Sequence, residues 1–107
     1  MHSQTNDRIQ RIQSKVQAGR ASISDLGAQI TDNYVKQMLQ RASNWFDDVD
    51  VYFLGNIRDE RTPGRTVAEE SMWLDHAEFV LERIAFPQLK AVQDMVAKFG
   101  PNIQSIG

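Results

Sequence analysis

The chain has no cysteine among its 107 residues. That single absence excludes a disulfide framework, a thiolate metal ligand, a cysteine nucleophile and an iron–sulfur cluster. It also fits a reducing compartment. Glycine is scarce and stands singly at Gly19, Gly27, Gly55 and Gly64, so no glycine-rich loop exists to cradle a phosphate. Serines such as Ser22, Ser24, Ser43 and Ser71 lack the Gly-x-Ser-x-Gly setting of a hydrolase nucleophile. No apolar run approaches the ~18 residues of a membrane span, and the opening Met1–Asp7 is polar. The expectation is a soluble cytoplasmic protein with no signal peptide and no transmembrane helix.

Charge of one sign is also missing, but only on average. The formal net charge is −2. Residues 1–20 carry Arg8, Arg11, Lys15 and Arg20 against Asp7, a balance of +3, which leaves −5 for the remainder. Between Asp47 and Glu82 the acids Asp47, Asp48, Asp50, Asp59, Glu60, Glu69, Glu70, Asp75, Glu78 and Glu82 face only Arg58, Arg61 and Arg65. This acidic excess repels nucleic acid, which ordinarily requires a basic stripe. The basic, amphipathic first segment has a narrow apolar face without an aromatic, a poor membrane-seeking helix. Docking on an acidic surface suits it better, and the 47–82 region of a second copy is the expected site.

What the chain does contain is helical periodicity. Ile9, Ile12 and Val16 recur at i, i+3 and i+7 behind Thr5 or Ser3 as N-cap, which predicts a helix over 5–18 that Gly19 stops. Gly19–Ser22 reads as a joint. A long central helix, about 24–58, follows, in which Val35, Leu39, Ala42, Phe46, Val49 and Phe53 step by heptad spacing. At ~1.5 Å per residue such a helix would reach roughly 50 Å, unless Gly27 or Thr31-Asp32 breaks it. Gly55-Asn56 weakens the pattern, and Arg61-Thr62-Pro63-Gly64-Arg65 marks a hinge, because Pro63 drives Thr62 out of the α region. A second long helix, about 66–98, is expected to bend or restart where Pro87 lacks an N–H, and to end at Gly100-Pro101. The fold class is therefore all-α: one domain over 1–107, an elongated antiparallel bundle of three to four helices with short tails at 1–4 and 102–107.

Two constellations invite a functional reading. The stretch Glu69-Glu70 to Asp75-His76-Ala77-Glu78-Phe79-Val80 resembles the metal-bearing helices of ferritin-like and hemerythrin-like bundles, which would imply Glu69, Glu70 and His76 as ligands. Such bundles hold metal through Glu-x-x-His, and here Trp73 stands three residues before His76, so the motif fails at its decisive position. The other constellation is aromatic. Tyr34, Met38, Trp45 and Tyr52 form an apolar row beside the heptad row of the central helix, and Trp73 borders the following helix's stripe. One short hairpin cannot cover both rows, and Trp at the margin of a buried seam is a frequent anchor in protein interfaces. These observations predict a non-enzymatic interaction or assembly protein without a cofactor, with a protein partner or a second copy at Tyr34, Met38, Trp45, Tyr52 and Trp73. A carboxylate and histidine metal bundle is the alternative.

Overall fold

The computed structural model describes residues 3–58 and 66–99. Of these, 95% are helical and none is in a strand, so the chain is an all-α bundle. The hinge at 61–65, the Gly100-Pro101 stop and the tail at 102–107 lie outside the described residues.

Helix α1 spans Ser3–Gln29 without a break. Gly19 does not stop it, and no helix starts at Ser24. Gly19 is a packing residue: the ring of the fully buried Phe46 lies directly on its backbone, and a Cβ placed there would run into that ring, with Cδ1 at 2.9 Å. The break falls at Ile30–Asp32 instead. Ile30 closes α1 by donating to the Leu26 carbonyl at 3.1 Å, and Asp32 adopts an extended conformation from which its carboxylate accepts the Val35 N–H at 3.0 Å. An Asp N-cap of this kind is worth about 1 kcal/mol, whereas a glycine inside a helix costs only about that much and is recovered by packing.

The second rod runs over 33–58 and comprises α2 (Asn33–Asp47), a π-helical segment (Asp48–Phe53) and α3 (Leu54–Arg58). Gly55-Asn56 does not interrupt it. The Asn56 side chain donates to the Tyr52 carbonyl at 2.6 Å, and the Leu54 N–H reaches back five residues to the Val49 carbonyl. That wide turn inserts one residue into the helical phase. Core positions therefore step from Val49 to Leu54 and Ile57, all fully buried, while Phe53 turns to a half-buried margin.

A third rod, 67–99, joins α4 (Val67–Val80), a π-helical segment (Leu81–Ala85) and α5 (Phe86–Phe99). Thr66 caps it, its hydroxyl accepting the Glu69 N–H at 3.1 Å. The Phe86 N–H bonds to the Leu81 carbonyl five residues back. Proline clashes with the carbonyl four residues before it, which for Pro87 is that of Arg83 inside this wide turn. The π segment thus lets the helix continue past Pro87 rather than stop.

The rods run up, down and up. Gly19 packs on Phe46 and Gly27 approaches Leu39, so the second rod is antiparallel to α1. The Phe46 and Phe86 rings meet edge to face at 5.0 Å, and Phe53 lies 6.0 Å from Trp73, so the third is antiparallel to the second. Between them runs one core: Ile9, Ile12 and Val16 from α1, Val35 to Ile57 from the second rod, and Leu74 to Val92 from the third. The molecule measures 56 × 20 × 20 Å with a radius of gyration of 16.4 Å. A compact domain of this length has a radius near ~13 Å, so the bundle is elongated.

Candidate functional site

Two long seams flank the core, and their chemistry differs. Along α1 the seam is polar. The Thr5 hydroxyl, inside the helix and not at its cap, donates to the buried Glu70 carboxylate at 3.0 Å. The Arg8 guanidinium meets Asp75 at 2.8 Å and Glu78 at 3.0 Å, and its Nη1 reaches the Ser71 hydroxyl at 3.4 Å. Lys15 pairs with Glu82 at 3.5 Å, and Arg20 spans Asp47 at 2.8 Å and Asp50 at 3.3 Å. Hydrogen bonding to Asp75 pushes the Arg8 guanidinium above its ordinary range against the opposing effect of burial, and Asp47 does the same for Arg20. The acidic surface that the basic first segment was expected to find on a second copy is therefore supplied by its own chain.

Along the outer margin of the second and third rods the seam is aromatic. Tyr34, Met38, Trp45 and Tyr52 all fall on this margin of the second rod. Met38 and Trp45 are half-buried against the core, and Tyr34 and Tyr52 are exposed at its two ends, 65% and 59%. Trp73 joins them from the third rod, its ring 5.8 Å from Tyr52 and nearly perpendicular to it. Phe53 stands against Tyr52 at 5.5 Å and against Trp73. The exposed His76 completes the group, 6.4 Å from Trp73 and 6.5 Å from Phe53. Four residues before and three after His76 on the same helix, Met72 and Phe79 are 48% and 59% exposed. Sequence periodicity by itself does not show that both face outward. Tetrad and flanks together form a ledge of apolar and aromatic surface.

The metal reading divides on the same geometry. Glu69 and His76, seven apart on one helix, share a face. Glu70 sits about a hundred degrees around the helix, buried and engaged by Thr5. Glu69 is exposed in the first turn of α4. Among the described residues no three histidine, aspartate or glutamate side chains gather closely enough to hold a metal ion. His76 is packed among rings instead of carboxylates.

Further open troughs run along α1. One between α1 and α5 is lined by Ser22, Glu82, Phe86, Pro87 and Lys90, and another on the outer side of α1 by Gln10, Gln13, Ser14 and Gln17 beside Asp50. No described helix is long and apolar enough to cross a membrane. No family model, no curated protein and no solved structure matches the chain.

Proposed function

We propose that this chain is a non-enzymatic helical interaction protein whose working surface is the aromatic ledge at Tyr34, Met38, Trp45, Tyr52 and Trp73. The observation that carries the reading is the exposure of Tyr52, Met72 and Phe79 around the half-buried Trp73. Burying these large apolar groups would yield ~25 cal/mol per Å² of apolar area removed from water. Contiguous apolar surface of this kind on a small domain marks a contact with another macromolecule. Trp and Tyr are also the side chains that carry most binding energy in interfaces, because they bury large rigid area at small entropic cost.

Site-specific photocrosslinking in the native host tests the reading. A benzoylphenylalanine placed at Tyr52 or Tyr34 is expected to give protein adducts. The same probe at Arg11, exposed on the outer face of α1, is expected to give few or none. Equal yields from the three positions, or no adduct from either tyrosine, would refute it.

A further inference from the structure

Beyond the aromatic rings, the ledge carries two exposed charges, Arg41 and Asp48. Arg8, Lys15 and Arg20 are each paired with acids across a seam. Arg41 and Asp48, both exposed, make no ion pair among the described residues. They are not scattered. Tyr34, Met38, Arg41, Trp45 and Asp48 step by 4, 3, 4 and 3 along one margin of the second rod, which is the spacing of a helix-pairing seam, and Tyr52 follows within the π-helical segment where the phase shifts.

Resting on the interaction reading above, we propose that the occupant of this ledge is a second copy of the chain, packed with the two second rods antiparallel about a two-fold axis near residue 43. The pattern is complementary to its own reverse. Under that symmetry Tyr34 of one copy faces Tyr52 of the other, and Arg41 of one copy lies over the Trp45 ring of the other, with Asp48 of that same copy one turn further on. A guanidinium on an indole face is a favourable cation–π contact, and the carboxylate beside it completes the charge pairing. Two-fold symmetry makes each contact twice. A parallel pair would instead set Arg41 against Arg41 and Asp48 against Asp48, which like-charge repulsion disfavours. From Tyr34 to Tyr52 the stripe is ~27 Å long at ~1.5 Å per residue.

Sedimentation velocity on the full chain tests the proposal with Arg41→Asp, Asp48→Arg, the double reversal and an equimolar mixture of the two single variants. Both positions are exposed, and circular dichroism checks that helicity is retained. The expected result is a wild-type dimer, at least tenfold weaker dimerisation in each single variant, and recovery in both the double variant and the mixture. Loss in the single variants marks the antiparallel pair, because a parallel pair opposes like charges at both positions before and after either reversal. Recovery in the mixture shows that the two positions meet across copies: the carboxylate introduced at position 41 of one variant then faces the guanidinium introduced at position 48 of the other, and the native Arg41 faces the native Asp48. A monomeric wild type at 100 micromolar, single reversals without effect, or a mixture that stays monomeric would each overturn it. A monomeric wild type whose Tyr52 photoadducts contain only other proteins refutes the dimer and leaves the interaction reading standing. A monomer without adducts refutes both.

Discussion

The seam along α1 is closed by charges and the outer margin of the other two rods is faced with rings. On the first, Arg8, Lys15 and Arg20 each find acids on the neighbouring rods, and Thr5 satisfies the buried Glu70. On the second, Tyr52, Phe53, Trp73 and His76 meet one another edge to face or tilted, with Met72 and Phe79 exposed. The difference separates what the fold uses from what it leaves over. Charge pairs across a seam fix which helix lies beside which, and in what register, while contributing modestly to stability. Aromatic surface beyond the core contributes little to the fold that its exposed half does not offer equally to a partner.

The largest expected effect lies where both seams meet the core. Phe46→Ala removes the ring that packs on Gly19 and Phe86 and should destabilise by about 3–5 kcal/mol in a urea or thermal melt. A loss under half of that would place the ring outside the centre and dissolve the contrast between the seams. Gly19→Ala probes the same contact from the other helix. The new methyl gains about 1 kcal/mol of helix propensity, but the buried ring cannot retreat, and overpacking of about 1–3 kcal/mol should outweigh it. The penalty should shrink in a Phe46→Leu background, and additive losses in that double-mutant cycle would place the clash elsewhere.

The polar seam predicts smaller, salt-sensitive effects. Thr5→Val leaves the Glu70 carboxylate without its hydrogen bond in a buried setting, at an expected cost of about 1–3 kcal/mol. Arg8→Met keeps the apolar stem and removes the pairs to Asp75 and Glu78, which should lower stability by about 1 kcal/mol at low salt and less in 1 M sodium chloride. If the Arg8 deficit stayed constant with salt, the seam would be held by packing and not by charge. Smallest of all should be Tyr52→Ser, within about 0.5 kcal/mol of wild type by melting, yet with binding lost in any assay that reads the ledge. Stability that falls as far as for Thr5→Val would make Tyr52 part of the core and remove the distinction on which the functional reading rests.

Much of the architecture was legible in the residues. Heptad spacing from Val35 to Val49 and the Thr66 start appear as read, because periodic burial is a local property of a helix. Tyr34, Met38, Trp45 and Tyr52 were legible as a row beside the core, whereas the contact of Tyr52 with Trp73 comes from the packing of two rods. Three features were not. Gly19 looks like a stop in any one-dimensional reading, since the ring that explains it comes from a helix in the opposite direction. The wide turns at Asp48–Phe53 and Leu81–Ala85 shift the helical phase by one residue, so Leu54 replaces Phe53 in the core and no fixed period finds it. The partner of the basic first segment was placed on a second copy because sequence distance hides that α1 and the third rod run parallel, about 67 residues apart along the chain at each contact, as Thr5 with Glu70 and Lys15 with Glu82 show.

By itself, then, the sequence determined that this chain is helical, elongated and without cysteine chemistry, because propensity, period and composition act residue by residue. Tertiary structure alone decided that α1 runs on through Gly19, which charges are spent inside the bundle and which rings remain outside it. Those outcomes depend on what lies across a seam: a ring against a glycine, a proline beside a carbonyl, an arginine between two acids. Residues that meet across a seam are set by the packing of whole helices, and no window of sequence contains both sides.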